Sequence, residues 1–294
     1  MHRNNVSPLA SRDGLVGLGA LIIGALAMAI SPTFVRLADV GPFTSAFWRV
    51  FLALPALYVW MRLAERGDAP KASFTLPIWL CGVAFTGDLL FWHLAILSTS
   101  IANATFFATT APIWVIFFGW LLFRDKVSGR VLAGLALCIA GGAALLARSL
   151  QIRFGGAIGD LEGMATGVFF GLYFLTVQAA RRQTNAARVT FESSLITAAA
   201  LFVVAAVVER QLWPHTLGGA AALLAMAWIS HAGGQGLLAV ALGKLPASFS
   251  SLVIFLEAIA AAVFGYLFIG EPVAWAQAFG GVLILAGIYV ARPR

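Results

Sequence analysis

Charge is scarce in this chain. Asp, Glu, Lys and Arg make up 11% of its 294 residues, against about a quarter in a typical soluble protein. So little charge cannot cover a globular surface. Cysteine is nearly absent as well. Cys81 and Cys138 each sit inside an apolar tract and read as small core residues, which leaves no disulfide framework. The signatures of hydrolytic and nucleotide-splitting enzymes are missing. There is no HExxH, no GxSxG and no paired-carboxylate spacing, and Gly243-Lys244 lacks the rest of a phosphate loop. Asn103-Ala104-Thr105 fits the glycosylation sequon but lies inside an apolar tract. His93 and His231 have no Cys or carboxylate cluster at ligand spacing, so no metal site is expected. No enzyme activity and no cofactor are expected.

What the chain has in abundance is hydrocarbon: 61% of residues are hydrophobic and the mean hydropathy is +0.93. Ten apolar tracts follow one another, at roughly 14–35, 43–63, 76–97, 100–123, 128–147, 159–180, 190–208, 217–242, 247–269 and 273–291. Each is near the ~20 residues that cross ~30 Å of hydrocarbon as a helix. Nothing alternates as barrel strands do, and lipid offers no partner to free backbone groups, so the tracts are expected to be helices. The first tract follows Arg3 and Arg12 as a signal peptide would. It is too long for that and runs on to Ser31-Pro32 and Arg36, so it reads as the first span.

The sequence also repeats itself. Sliding residues 95–145 by 146 positions places Phe118-Gly119 over Phe264-Gly265 and Asp125 over Glu271. The same slide places Gly134 over Gly280 and Ala140-Gly141 over Ala286-Gly287. Two five-helix halves result, 1–150 and 151–294. Five is odd, so the second half must enter the membrane inverted. The repeated turn carries the matching charge code: Arg124-Asp125-Lys126 with Arg130 in the first copy, and Gly270-Glu271-Pro272-Val273 without a cation in the second. The fold class expected is an all-α integral membrane protein of ten transmembrane helices, built as two inverted repeats.

The net charge of +7 and the pI near 10.1 do not point to nucleic acid once their distribution is followed. With the N-terminus in the cytoplasm, one side collects Arg3, Arg12, Arg62, Arg66, Lys71, Arg124, Lys126, Arg130, Arg181, Arg182, Arg188, Lys244, Arg292 and Arg294. The other has Arg36, Arg148, Arg153 and Arg210. This is a positive-inside pattern with both termini cytoplasmic, and a cell (inner) membrane is the location expected. The partners expected are the lipid bilayer and a small-molecule substrate, with no nucleic acid, in a monomer or weak homodimer.

Ionisable groups deep in a span cost at least ~2.5–3.5 kcal/mol each, so they face a cavity or a partner. Here they are Arg49, Asp88, His93, His231 and Glu257. Arg49 and Asp88 lie at similar depth and form either a structural ion pair or a gating or substrate contact. Glu257 is either a proton carrier, a contact for a substrate ammonium, or a protonated acid bonded between helices. His93 and His231 are either proton-coupling groups or neutral hydrogen-bonding core residues. Trp92, Trp114, Trp120, Trp228, Phe106 and Tyr173 are candidates for a stacking surface. Trp48, Trp60, Trp79, Trp213 and Trp275 read as interface anchors. Asn103, Gln235 and Ser250 complete the candidate substrate contacts. Pro32, Pro112, Gly87 and Gly233 are candidate structural or gating positions. Gly87-Asp88 aligns with Gly233-Gly234, so both halves are expected to break their third helix at one depth. Gly163, Gly167 and Gly171 form a small-residue face for close helix contact, as do Ala140-Gly141-Gly142.

The pattern resembles the EamA-type branch of the drug/metabolite transporter superfamily. The residues that carry the resemblance are Ala111-Pro112 through Phe118-Gly119, Asp125, and Val127 to Ala140-Gly141. In the second half they are Leu256-Glu257 through Phe264-Gly265, Glu271-Pro272, and Gly280 to Ala286-Gly287. Arg49 resembles an arginine that this family often has early in its second helix. The chain departs from the pattern at Ala258, where the family has proline. The resemblance implies a secondary carrier. Its helices 1, 3, 4, 6, 8 and 9 would surround a central cavity, with 5 and 10 peripheral. It also implies export of aromatic or neutral amino acids or similar metabolites, as in YddG-type exporters. The alternative is a multidrug, organic-cation or nucleotide-sugar transporter of the same superfamily.

Overall fold

A computed structural model describes residues 11–67, 72–98, 106–146, 157–264 and 274–293. Among these residues there are helices and no strands. Among the described residues, eight helices are long and apolar enough to cross a membrane. They are α1 (Arg12–Val35), α2 (Pro42–Ala64), α3 (Leu76–Ala95), α4 (Phe106–Phe123), α6 (Ile158–Arg181), α7 (Ala186–Val208), α8 (Leu217–Leu242) and α9 (Ala247–Phe264). Two shorter apolar helices, α5 (Gly129–Leu145) and α10 (Trp275–Ala291), bring the set to the ten expected. Large apolar side chains lie outward on nearly every helix, from Leu15 and Ile23 on α1 to Val282 and Tyr289 on α10. In water this would be an aggregation surface; in lipid it needs no other partner.

The two halves interlock rather than stand side by side. The third helix of each half packs against the first helix of the other, α3 on α6 and α8 on α1. The fifth helices pack on each other, α5 on α10. There Gly134 and Gly141 lie against Gly287 and Gly280. A Cβ built on Gly134 would stand 2.5 Å from the Gly287 carbonyl, and one on Gly141 2.5 Å from the Gly280 carbonyl. Bare backbones therefore meet at both contacts. Between them Cys138 donates its thiol to the Ile284 carbonyl. Cys138 and Ile284 are counterparts under the 146-position slide, as are Phe85 and His231, whose rings stack 5.4 Å apart. Counterparts that touch mark where the two-fold pseudo-axis relating the halves runs.

The second helices, α2 and α7, run antiparallel and hold each other at both ends. Glu209 at the end of α7 accepts the N–H groups of Phe43 and Thr44 at the start of α2, at 2.8 and 2.9 Å. Glu65 at the end of α2 reaches the start of α7. It accepts Arg188 Nε and Nη2, both at 2.6 Å, and Asn185 Nδ2 at 3.1 Å. Each glutamate thus lies at the positive end of the partner helix, where a carboxylate is favoured. Arg188 also donates to Glu192 and Ser73, and Glu192 accepts the N–H of Phe74, fixing the approach to α3.

The ends of the bundle differ in charge. Arg181, Arg182, Lys126 and Lys244 share one end, where Lys244 pairs with Asp13. We call this the basic end. The opposite end is closed by Asp39, Glu209 and the 211–216 segment. Asp39 Oδ2 accepts the N–H groups of His215 and Thr216 at the start of α8. Its partial burial works against the charge. Hydrogen bonds from Thr216 and His215 outweigh that and hold its carboxyl below the ordinary value. Trp48 donates to the Leu212 carbonyl there and packs on Trp213, ring centroids 5.0 Å apart.

Candidate functional site

Five helices are broken or distorted. α2 is interrupted at Leu52-Ala53, just ahead of Pro55, and the breaks of the other four converge. α1 is interrupted at Ile30 just before Pro32, whose ring and missing N–H end the first segment. α4 is interrupted at Thr109-Thr110, where Thr110 N bonds Phe107 O and Ile113 N bonds Thr110 O, three residues back instead of four. Pro112 explains this break, since it cannot donate. α9 is interrupted at Ile254-Phe255 with the same tightened bonds, Glu257 N to Ile254 O and Ala258 N to Phe255 O. No proline is present, so this break is imposed by tertiary packing. α8 is π-helical over Met226–Gln235.

This corrects the expected symmetry. The third helix of the first half is not broken: Leu76–Ser98 is continuous. The matching interruptions lie in the fourth helices, α4 and α9. The π-helical stretch of α8 inserts one residue relative to α3. Gly87 presses α3 onto Phe169 of α6, and the residue that presses α8 onto Gly24 and Met28 of α1 is Gly234. Gly233 meets only the Trp228 carbonyl. With that one-residue shift, the counterpart of Asp88 is Gln235.

A cavity of about 100 Å³ lies where the breaks meet. Asp88, Leu89 and Trp92 of α3 face it, with Gln235 of α8, Arg49 of α2, and Ile254 and Glu257 of α9. Met28, Ser31 and Pro32 of α1 close another wall, with Ala108 and Thr109 of α4 and Thr166 and Phe170 of α6. Arg49 and Asp88 are only 6% and 8% exposed, although both line the cavity. The guanidinium donates Nη2 to Ser230 Oγ at 3.4 Å, and its Nε has no partner. Among the described residues it makes no ion pair within 4 Å, so Arg49 and Asp88 are not a contact pair. Both Asp88 and Glu257 act on Arg49 through space. Glu257 Oε1 and Gln235 Oε1 are likewise buried without a partner.

The remaining candidates among the described residues fall outside the cavity wall. His93 is buried and bonds its Nδ1 to the Leu89 carbonyl one turn back, at 2.6 Å. His231 bonds Ser194 at 2.8 Å and ends a ring column, Phe170–Tyr173–Phe85–His231, which leads away from the cavity. Ser250 is fully buried, one turn closer to the basic end. Phe106 is half-buried and packs on Phe107. Asn103 lies outside the described residues. Of the tryptophans, Trp92 alone lines the cavity. Trp114 packs on the glycine face of α6, Trp120 and Trp228 face outward, and Trp60 packs against Gly236.

Thr166 and Phe170 were not singled out by the sequence. They lie four apart on α6, on the flank of the face formed by Gly163, Gly167 and Gly171. That glycine face meets Phe107, Thr110 and Trp114 of α4. The i, i+4 spacing was the available signal. Met28, Ser31, Leu89, Ala108 and Ile254 gave no comparable signal, because one apolar face looks like another in a helix apolar all round.

A second pocket, of about 570 Å³, opens at the basic end. Val115, Gly119 and Lys126 of α4 and its following turn line it, with Gln178 and Arg182 of α6 and Ser248 of α9. Phe174, Phe249 and Val253 are buried at chain positions between residues that line the cavity and residues that line this pocket.

The sequence pattern of the EamA-like transporter family matches this chain twice, over residues 15–147 and 157–292. The chain belongs to that family. Two relatives from Archaeoglobus fulgidus, each called an uncharacterized transporter, are 25% identical. One is aligned over 94% of this chain and 96% of its own length, the other over 88% and 91%. A third from Methanothermobacter thermautotrophicus, with the same description, is 20% identical over 65% of this chain and 57% of its own. A solved protein structure superimposes with a TM-score of 0.81 at 18% identity, covering 95% of this chain and 96% of that one. That likeness speaks to the fold. The EamA match places this multi-pass membrane protein among transporters, and the cavity lies between its two family repeats.

Proposed function

We propose that this chain is a secondary carrier that exports amino acids or similar small amine-bearing metabolites by alternating access. The observation that carries the reading is the meeting of the broken α4 and α9, one from each inverted repeat, at a cavity with a few fixed charges and otherwise apolar walls. Interrupted helices at matching positions of inverted repeats are where carriers bind their solutes. Rocking of one half against the other would expose the cavity to each side in turn. Phe174, Phe249 and Val253 would part when the pocket at the basic end joins the cavity. We further propose an inner-membrane location with the basic end in the cytoplasm, from the positive-inside bias.

The test is counterflow in proteoliposomes holding the purified protein, without any ion gradient. Saturable uptake of labelled threonine, valine, methionine or aromatic amino acids, abolished by excess unlabelled solute, is the expected result. No counterflow of any amino acid or its amine, in vesicles shown to be tight, would sink the reading.

A further inference from the structure

Counting charge in the cavity goes beyond the class of carrier. Two carboxyl side chains, Asp88 and Glu257, face one guanidinium, Arg49, and neither is in ion-pair contact with it. The groups come from α3, α9 and α2, so no single helix enforces the balance. The unpartnered atoms have a sign as well. Glu257 Oε1 and Gln235 Oε1 are acceptors waiting for donors, Arg49 Nε is a donor left over, and Ser31 Oγ can serve as either. A buried acceptor without a donor is costly, and with both carboxyls ionised the excess of negative charge would be costlier still. Trp92, Phe170 and Ile254 supply the apolar walls for a hydrocarbon body.

We propose that the cavity selects its solute by charge: it takes a small monocation, a protonated amine on an apolar body, in preference to a zwitterion or an anion. Arg49 offsets one of the two carboxylates and the ammonium offsets the other. The three N–H bonds of the ammonium find the carboxylate and amide oxygens that have no donor of their own. A zwitterion supplies no net charge and leaves one carboxylate uncompensated. An anion adds to the excess. Asp88 and Glu257 are therefore the residues that set specificity. The inference rests on the carrier reading of the same cavity, but binding alone can test it.

The probes are three solutes of one shape: isobutylamine, valine and isovalerate. Their affinities for the purified full chain in detergent are read by isothermal titration. Isobutylamine is expected to bind about tenfold or more tightly than valine, and isovalerate not at all. In Glu257→Gln the cavity is balanced by Arg49 and Asp88, so the order of isobutylamine and valine should reverse. Asp88→Asn should do the same, which keeps the test open if either variant fails to fold. Valine binding more tightly than isobutylamine in the wild type overturns the inference, as does an unchanged order in both folded variants. Binding of none of the three overturns it too. Counterflow separates the two readings. Valine counterflow with no isobutylamine binding sinks the charge rule and leaves the carrier. Isobutylamine binding without any counterflow supports the charge rule and sinks the carrier.

Discussion

Single residues matter here through what stands beside them. Glycine is the clearest case, because thirty are spread through the chain and only some have neighbours. A methyl group on Gly134 or Gly280 would press against a carbonyl 2.5 Å away on the facing helix, and backbone cannot give way as a side chain can. Gly19 and Gly281 have nothing within 4 Å. Gly134→Ala and Gly280→Ala should each destabilise the protein by about 1–3 kcal/mol through forced separation of α5 and α10. Gly19→Ala and Gly281→Ala should be neutral or slightly stabilising, because alanine favours the helix. Thermal unfolding in detergent reads the difference. Equal effects in both pairs would mean that the α5–α10 contact is looser than the structure has it.

Among the elements, α2 and α7 stand apart as a mutually clasped pair. Each ends in a glutamate that holds the beginning of the other, and Arg188 makes one of the two clasps bidentate. Side chains of Arg188 and Glu65 are only 12% and 15% exposed, so solvent screens the pair weakly. A double-mutant cycle on Glu65→Gln and Arg188→Gln should give a coupling energy of about 1–2 kcal/mol. Additive losses would show that the clasp contributes nothing beyond its separate bonds. The broken α4 and α9 have no such anchors at their interruptions. Their weak point lies on the cavity, where a change of solute can be felt.

For the molecule as a whole, inversion of the repeat would let one cavity serve two sides in the proposed carrier. The pseudo-axis passes between Phe85 and His231 and between Cys138 and Ile284. Movement at one end of the bundle therefore has a counterpart at the other. We propose the orientation from charge: the end that holds Arg181, Arg182, Lys126 and Lys244 is assigned to the cytoplasm by the positive-inside bias. A reporter that fluoresces only in the cytoplasm, fused after Arg294, should be bright. A dark fusion in cells that insert the protein normally would reverse the orientation and the direction of export with it.

Ten apolar helices, the inverted repeat and the basic end were all written in the sequence. Length, hydropathy and the Lys and Arg bias are local or additive quantities that need no folding to read. The candidate ionisable residues were legible for the same reason, since a charge in a span is conspicuous wherever it falls. What they do with one another was not legible. Only packing decided that Arg49 and Asp88 share a cavity without pairing, and that His93 and His231 turn to a backbone carbonyl and a serine. Only packing broke α9 at Ile254-Phe255 without a proline. One extra residue taken up by the π-helical stretch made Gln235, not Gly234, the counterpart of Asp88. A repeat alignment counts residues along the chain, and a side chain's partner depends on the angle at which its helix presents it. In helices apolar on every face, that angle is fixed only when the helices meet.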